Sequence, residues 1–491
     1  MVKMLNEKAS AVFSRIMLSV FLCITVLSLL VMIPSFLQMG SYTAALAAAV
    51  ILFVGFLLVY RKKKPSFDRI LKLGTVRLCV ILSVLCFVVK FAWTCILRIE
   101  PTVDYLTFWN TAKNIAEGNS FDPVFVSVFP HILGYASFLS VFLRVFGSSL
   151  LVPPLVNVGL TVISGICIFT MLKRNSTLKA ACIGYILWIV CPSCTFFNTM
   201  VLSEPYYTAL ILLFLTAADF TAERLFKDTK TSGMILRAFL FALAAAVILA
   251  LANSARPIGI IPIIALFIWM VFLCAKRSEN KKTFWVFLLS AVVLIVLYYL
   301  FGKIWKHYID TLIGVETASF PGYSIYVGFD MESMGSFSTE DGNRVADLAY
   351  SYGAVEAQRI MLEDAKKMIF SGNIDFPRLL AAKLAKFLGN DEAGAYYSIE
   401  FVSGTVYSVC AVLSNVFYYF LLLCVIRKTI LRIKKPGTSA LLLCPLYCIG
   451  LTLAQMLVEV AGRYHYSIIP MLIIIASEEL RKDNNLQPIT S

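Results

Sequence analysis

Apolar residues occur along this chain in long runs, each separated from the next by a short polar stretch. Most runs exceed about 18 residues, the length with which an α-helix crosses the hydrocarbon core of a bilayer. The alternation of polar and apolar residues that is typical of membrane β-barrels is absent. The pattern therefore predicts an all-α polytopic membrane protein with about 12–13 transmembrane helices.

The same pattern divides the chain into four parts. Residues 1–69 are predicted to form a helical hairpin, residues 70–302 a membrane core, residues 303–400 a larger external loop or cap, and residues 401–491 the C-terminal transmembrane helices. No internal repeat stands out, which argues modestly against a transporter that is built from inverted halves.

One apolar run is irregular. Residues 126–146 contain Pro130, His131, Gly134 and Arg144. If the polar segments on either side of this region lie on one face of the membrane, an even number of crossings must separate them. We therefore predict that residues 126–146 do not span the membrane but are re-entrant or lie along its surface.

Composition and charge agree with this fold class. Of the 491 residues, 59% are hydrophobic and 15% are charged, and the mean hydropathy is +0.83. The net charge of +14 does not indicate a nucleic-acid partner, because Lys and Arg form short clusters between apolar runs, as the positive-inside rule describes. The clusters predict a multi-pass cell-membrane protein with both termini in the cytoplasm.

The first polar segment after three apolar runs is residues 100–118. Its aromatic and aliphatic residues recur at helical spacing, which predicts a short helix on the external membrane surface. Asp104 stands where an N-cap is expected, and Gly118 stands where the helix would end. A carboxylate at this boundary serves either as a cap or as a catalytic group.

Further costly polar residues are predicted on the same external face. Ionisable groups near the membrane interior are a functional-site hypothesis by default, although each could simply cap or anchor a helix. The group comprises Asp104, Lys113, Glu117, Asp122, His131, Ser203, Glu204, Asn253, Arg256, His307, Glu459, Arg463, Tyr464 and His465.

These residue types favour chemistry on a phosphate. Arg256 and Arg463 can each hold a phosphate through two hydrogen bonds. Asp104 and Glu204 can act as a general base or hold a divalent cation. Carboxylates beside an arginine clamp are what transfer from a lipid-phosphate donor requires, since the departing phosphate needs positive charge.

Several short motifs, taken in order, resemble a family. Asp104 precedes a Phe-Trp…Ala…Gly helix, and the later motifs are Phe129-Pro130, Phe146-Gly-Ser, Leu202-Ser-Glu204-Pro205, Arg256-Pro257 and Gly462-Arg463-Tyr464…Pro470. Together they resemble the polytopic GT-C glycosyltransferases, in particular the family 39-like branch with the protein O-mannosyltransferases and aminoarabinose lipid A transferases. Residues 70–302 would then be the GT-C-like catalytic core.

The resemblance implies transfer of a hexose or pentose from a polyprenyl-phosphate donor on the external face of the cell envelope. Asp104 matches the family's catalytic aspartate, Glu204 an acidic residue of the second external loop, and Arg463 a late arginine that meets the donor phosphate together with Arg256. We expect Lys113, His131, Tyr464 and His465 to contact substrate. A divalent metal on Asp104, Glu204 and His307 is an option rather than a requirement.

The acceptor stays open between a protein, a teichoic acid and a glycolipid. Two other functional classes also stay open at this point. A flippase or transporter for lipid-linked saccharides would place arginines near headgroups but needs charge deep within its spans. A polymerase or ligase of envelope saccharides would share the external loop and the arginines, without depending on Asp104.

Overall fold

The computed structural model describes residues 2–62, 68–227, 231–276, 281–398, 403–437 and 439–479. Within these ranges the chain forms helices and no strands. The helices in chain order are α1 (Val2–Leu30), α2 (Ile33–Gln38), α3 (Gly40–Lys62), α4 (Asp68–Leu71), α5 (Thr75–Ile96), α6 (Val103–Glu117), α7 (Pro123–Val128), α8 (His131–Phe146), α9 (Val152–Asn175), α10 (Leu178–Val190), α11 (Pro192–Phe197), α12 (Glu204–Lys227), α13 (Thr231–Ala255), α14 (Ile260–Lys276), α15 (Lys281–Ile313), α16 (Gly322–Phe329), α17 (Thr339–Tyr352), α18 (Ala354–Phe370), α19 (Phe376–Leu388), α20 (Ala393–Tyr396), α21 (Gly404–Lys434), the 3₁₀ turn η1 (Ala440–Leu442), α22 (Leu443–Leu457), the 3₁₀ turn η2 (Gly462–His465) and α23 (Ile468–Ser477).

The predicted class, an all-α polytopic membrane protein, is confirmed. In the described ranges, nine helices are long and apolar enough to cross a membrane, counting α1 with α2 and η1 with α22 as one each. The others are α3, α5, α9, α12, α13, α15 and α21. Four shorter apolar helices, α8, α10, α14 and α23, accompany them. The basic clusters at 61–64, 224–230, 276–282 and 481–482 lie wholly or partly outside the described residues.

The first polar segment forms α6, as the sequence predicts, but Asp104 is not its N-cap. Thr102 occupies the N-cap position and its side chain makes no capping hydrogen bond. Asp104 therefore lies within the first turn, and its carboxylate is available to another partner. Gly118 ends the helix with a left-handed φ of 75°, a conformation that glycine adopts without steric cost.

Helices α6 and α8 form a parallel pair. Phe108 of α6 packs edge-on against Tyr135 of α8 with ring centroids 5.5 Å apart, and the Arg144 guanidinium donates to the Ile115 carbonyl at 2.7 Å. The later residue of α6 contacts the later residue of α8, so the two helices run in the same direction. The irregular run at 126–146 is broken at Phe129 and Pro130, between α7 and α8.

Helix α8 also packs very closely against α13. A Cβ added at Gly134 would lie 2.1 Å from the backbone oxygen of Ser254, far inside van der Waals contact. Glycine is therefore needed at position 134 for the two helices to meet. This contact brings the first turn of α8 beside the last turn of α13, where Arg256 follows.

Helices α16 to α20 make up most of the segment predicted as an external cap. Gly322 at the start of α16 abuts the backbone of Gln358 in α18, whose side chain accepts from the Tyr323 amide at 2.7 Å and donates to the Val128 carbonyl at 3.3 Å. The buried Lys383 of α19 donates to the carbonyls of Gly328 at 2.7 Å and Met456 at 3.0 Å. These bonds join α18 to α7, and α19 to α16 and to the membrane helix α22.

The N-terminal hairpin, α1 to α3, packs on α21 and α22 and on the end of the segment predicted as a cap. Phe36 packs edge-on against Tyr419 of α21 with ring centroids 5.6 Å apart. Met32 lies against Gly389, and the Tyr42 hydroxyl donates to the Glu392 carboxylate at 2.7 Å. The four-part division of the chain stays a prediction. Helix α15 continues past the boundary at 302/303 to Ile313.

Candidate active site

The centre of the candidate site is Arg463, in the 3₁₀ turn η2. One guanidinium nitrogen, Nη2, donates to Oδ2 of Asp104 at 2.6 Å. The Nε atom lies 3.7 Å from Oε1 of Glu204. Asp104 comes from the first turn of α6 and Glu204 is the first residue of α12. Residues 104, 204 and 463, distant in sequence, thus meet at one guanidinium.

Asp104 and Glu204 lie at one cluster and so share one side, the condition from which we predict an even number of crossings between them. Of the helices between them, α9 is long and apolar enough to cross a membrane, whereas α8 and α10 are shorter apolar helices. That α8 does not span the membrane stays a prediction.

The two carboxylates differ in exposure. The Asp104 side chain is 48% exposed, whereas that of Glu204 is 2% exposed. Asp104 can therefore contact a ligand directly. Glu204 can act only through Arg463 or on a part of the ligand that reaches the buried carboxylate. Val103, before Asp104, has a φ of 43°, which a β-branched residue adopts only under strain. The backbone is thus strained next to the accessible carboxylate.

Arg463 also has unused hydrogen-bonding capacity. Within the described part of the chain, its Nε and Nη1 atoms and Oε2 of Glu204 are buried without a hydrogen-bond partner. Buried donors and acceptors are almost always satisfied. Unsatisfied guanidinium donors are what an anion-binding site needs.

A second arginine completes a basic cluster. Arg256 follows the last turn of α13, and its guanidinium carbon lies 3.5 Å above the centre of the Tyr464 ring. The guanidinium of Arg463 lies 5.8 Å from the same ring and 5.2 Å from that of Tyr397. Tyr464 therefore holds two guanidinium groups near each other, and its hydroxyl donates to Glu459 at 3.0 Å.

His131, the first residue of α8, lies beside this cluster. Burial, together with the charges of Arg256 and Arg463, lowers its pKa to about 3, against a smaller opposing effect of Asp104. The imidazole is therefore neutral at physiological pH. It adds no charge to the cluster but can donate or accept one hydrogen bond at each ring nitrogen.

Three other predicted contacts lie elsewhere. His465 is buried and pairs with Asp391 at 3.1 Å, between the rings of Phe387 and Tyr418. Lys113 is half-buried on α6, nine positions after Asp104, which places it about 13 Å further along the helix. His307 is exposed on α15.

A metal on Asp104, Glu204 and His307 does not fit this arrangement. No group of three His, Cys, Asp or Glu side chains suited to a metal ion occurs within the described ranges. The two carboxylates instead share the Arg463 guanidinium, which supplies the positive charge at this point. We derive no step through a metal ion.

Three aromatic or charged residues near the site have no role in the sequence-based prediction. They are Tyr323, Lys383 and Tyr397. A tyrosine carries little signal in a chain with 22 tyrosines, because most of them serve as packing residues. Glu459 is on the predicted external face, but nothing in its local sequence distinguishes a ligand contact from a helix end.

Comparison with known proteins gives limited similarity. No family model matches the chain, and no curated protein matches it. Among solved structures, it is similar to the archaeal oligosaccharyltransferase AglB from Archaeoglobus fulgidus in complex with an inhibitory peptide and a dolichol-phosphate, with a TM-score of 0.47 and 12% identity over 82% of this chain and 49% of that one. The apo form of the Archaeoglobus fulgidus oligosaccharyltransferase gives a TM-score of 0.45 and 13% identity over 85% and 51%. The chain thus spans about half the length of these proteins.

Proposed function

We propose that this protein is a membrane glycosyltransferase that transfers a sugar from a polyprenyl-phosphate donor to an acceptor hydroxyl. The observation that carries the proposal is the meeting of Arg463, Arg256 and the accessible Asp104 at one polar cluster beside the membrane helices. The motif resemblance to GT-C glycosyltransferases supports the same assignment. In our proposal the cluster faces the external side, and both termini are cytoplasmic.

The arginines would bind the donor phosphate. Arg463 keeps two buried guanidinium nitrogens without a hydrogen bond in the described chain, and Arg256 stacks on Tyr464 within electrostatic reach of Glu204. Planar guanidinium groups bind phosphate oxygens bidentately. Positive charge held in place here stabilises the phosphate most when it leaves with an additional negative charge, which lowers the barrier to transfer.

Asp104 would act as the general base. Its carboxylate takes the proton of the acceptor hydroxyl while the hydroxyl oxygen bonds to the anomeric carbon of the sugar. The bond between that carbon and the phosphate oxygen breaks, and the polyprenyl phosphate departs with the electron pair. Attack opposite to the leaving phosphate inverts the anomeric configuration, as the resemblance implies.

Glu204 would be a positioning residue. It is almost fully buried and lies 3.7 Å from Arg463 Nε, so its negative charge helps to hold the guanidinium in place, while Asp104, which also accepts from Arg463, meets the acceptor from its exposed side. His131, neutral beside the arginines, would contribute a hydrogen bond rather than charge. Tyr464 would hold Arg256 in its orientation through the stacked ring.

The proposal is tested with the purified protein in nanodiscs and a panel of radiolabelled polyprenyl-phosphate sugars. Release of polyprenyl phosphate with an envelope extract as acceptor source measures transfer. Asp104→Asn keeps the shape of the side chain but removes the base, and we expect a loss of about 10²–10⁴-fold in rate. Mass spectrometry of the labelled product identifies the acceptor as protein, teichoic acid or glycolipid.

The matched control is Asp122→Asn. Asp122 caps α7 through the Val124 amide at 2.9 Å and accepts from Tyr350 at 2.6 Å, away from the arginines. We expect its rate to stay within about two-fold of the wild type, because cap changes of this kind affect stability more than chemistry. Full activity in a well-folded Asp104→Asn protein would overturn the assignment of the base. Movement of the lipid-linked sugar across the membrane without transfer would instead support a flippase.

A further inference from the structure

A buried tyrosine on α16 presents an unused hydroxyl to the candidate site. Tyr323 is 2% exposed, and its hydroxyl has no hydrogen-bond partner within the described residues. The residue is firmly held, since its amide donates to the Gln358 side chain at 2.7 Å and its ring packs edge-on against Phe129 at 5.3 Å. A hydroxyl that is fixed, buried and unsatisfied is suited to a ligand.

A continuous series of contacts links this tyrosine to the arginine cluster. Arg256 stacks on Tyr464, and the Tyr464 hydroxyl donates to Oε1 of Glu459. The Glu459 amide then donates to the carbonyl of Ser324, the residue after Tyr323, at 2.7 Å. The strap formed by residues 458–460 thus lies between the arginines and α16.

The strap packs tightly against α16. A Cβ at Gly328 of α16 would lie 2.6–2.7 Å from the backbone of Val458, and the Val460 amide donates to the Gly335 carbonyl at 2.8 Å. The relative positions of Tyr323 and Glu459 are therefore set by backbone contacts rather than by mobile side chains. Such preorganisation is what a specificity-determining wall requires.

Tyr323, Glu459 and Asp341 form one wall of the site, and the polar groups on this wall differ from those at the arginines. The Tyr323 hydroxyl lies within electrostatic reach of Glu459, Asp341, Tyr464 and Asp104. Glu459 is half-buried, and its Oε2 has no described hydrogen bond; Oδ2 of the buried Asp341 also lacks one. The nearby Lys383 ammonium is already bonded to the carbonyls of Gly328 and Met456. This wall therefore offers carboxylate acceptors and one hydroxyl. Its neighbouring cations are engaged: Arg344, near Asp341, pairs with Asp364, and Arg256 and Arg463, near Glu459, would hold the donor phosphate.

We propose that Tyr323 and Glu459 form a subsite that binds hydroxyl groups of the donor's sugar, and that this sugar carries no negative charge. The inference rests on the proposed function and deepens it. With the phosphate on the arginines, the attached sugar extends past Tyr464, where carboxylates accept from its hydroxyls. A sugar carboxylate would instead meet Glu459 and Asp341, and like charges at short range repel.

The test compares wild type and Tyr323→Phe in nanodiscs, using the undecaprenyl-phosphate hexose that the wild type turns over best, its monodeoxy analogues and undecaprenyl-phosphate glucuronic acid. We expect Tyr323→Phe to lower kcat/KM at least ten-fold for the parent sugar. For one monodeoxy analogue, the two proteins should be equal within two-fold, because the partner of the tyrosine hydroxyl is then already missing. The glucuronosyl donor should be turned over at least 100-fold less well than the parent.

Tyr326→Phe is the matched control, because Tyr326 is on the same helix but lies under the Arg344 guanidinium at 5.0 Å. Its kcat/KM should not change. The inference fails if Tyr323→Phe is as active as the wild type, if its loss is the same for every analogue, or if the glucuronosyl donor is turned over equally well.

Adding the variant Arg463→Lys to the experiment distinguishes a failure of the sugar subsite from a failure of the proposed function. If Arg463→Lys loses binding of undecaprenyl phosphate while Tyr323→Phe has no effect, only the sugar subsite is wrong. If Arg463→Lys binds undecaprenyl phosphate as the wild type does, the phosphate clamp itself is wrong. Thermal melting of each variant shows that a loss does not come from unfolding.

Discussion

Two buried arginines of this protein have opposite surroundings. Arg432 of α21 donates to Glu478 at 2.5 Å and to the Ser439 hydroxyl at 2.7 Å, and the Glu478 carbonyl accepts from Lys428. Arg432 and Glu478 are both under a tenth exposed. Arg463 faces a half-exposed Asp104 and keeps two nitrogens without a hydrogen bond in the described chain.

The difference separates a structural ion pair from a binding site. Arg432 uses its donors on protein acceptors, so it has little left to offer a ligand, and it serves to join α21 to the end of α23. Arg463 keeps donors free at a point where one carboxylate is accessible. Unsatisfied capacity in a buried charged group requires an explanation, and a ligand phosphate supplies one at Arg463.

Among the changes that test this comparison, Arg463→Lys should have the largest effect on the transfer rate. Lysine keeps the charge but cannot reproduce the planar pair of hydrogen bonds. Loss of about 2–3 kcal/mol of charge-assisted bonding corresponds to a fall in transfer rate of roughly 30–150-fold. Initial rates in nanodiscs measure it, with melting temperature as the control. A rate within two-fold of the wild type would contradict the assignment of Arg463, unlike Arg432, to a binding site.

Arg432→Met should have the converse effect. It leaves Glu478 buried without its partner, which costs about 3–5 kcal/mol of stability, while the activity per folded molecule should not change. The double variant Arg432→Met, Glu478→Leu should recover most of the loss, since no uncompensated charge remains. Detergent-solubilised melting of the single and double variants measures this. A fall in specific activity would show that Arg432 also serves the site.

Gly134→Ala should disturb the site through packing. The added Cβ would meet the Ser254 carbonyl at 2.1 Å, so α8 must move away from α13, at a cost of about 1–3 kcal/mol. This movement of α8 also separates His131 from Arg256. The transfer rate should therefore fall more than the loss of folded protein explains. Gly118→Ala is a useful comparison, because nothing lies within 4 Å of its Cβ and only the positive φ opposes it. Equal rates for the two variants would contradict the role of the α8–α13 contact.

The smallest effect concerns pH. The His131 pKa is about 3 in the folded protein against an ordinary value of 6.5, so the unfolded chain binds the proton more readily between these values. His131 therefore contributes stability that is present above about pH 6.5 and lost as the pH falls through this window. The slope is at most about 1.4 kcal/mol per pH unit, and less because the ring is only half-buried. Between pH 7 and pH 5 the melting temperature should fall less in His131→Gln than in the wild type; an equal fall would show that the pKa of His131 is not lowered in the folded protein.

Local sequence pattern was sufficient for the fold class and for α6. Apolar runs predict spans because the bilayer imposes a minimum length, and Gly118 predicts a helix end because it adopts a positive φ without strain. The same reasoning misplaces the N-cap at Asp104. Both Thr102 and Asp104 are acceptable cap residues by type, and in the folded protein Asp104 lies in the first turn, where it pairs with Arg463.

The site itself depends on contacts that local sequence does not encode. Position 463 meets positions 104 and 204 only after the helices pack, and residues as near as 463 and 465 lie in different surroundings. His465 points into the core towards Asp391 while Arg463 points to the carboxylates. Tyr323 owes its place near Glu459 to the packing of α16 on the strap, which no spacing along the chain reveals.

The contrast between the arginines is tested most directly by binding of polyprenyl phosphate that carries no sugar. Native mass spectrometry of the wild type, Arg463→Lys and Arg432→Lys in one lipid mixture gives the bound fraction for each. We expect the wild type and Arg432→Lys to retain the lipid phosphate equally, and Arg463→Lys to bind it at least ten-fold more weakly. Equal binding by all three proteins would contradict the assignment of Arg463 to the donor phosphate.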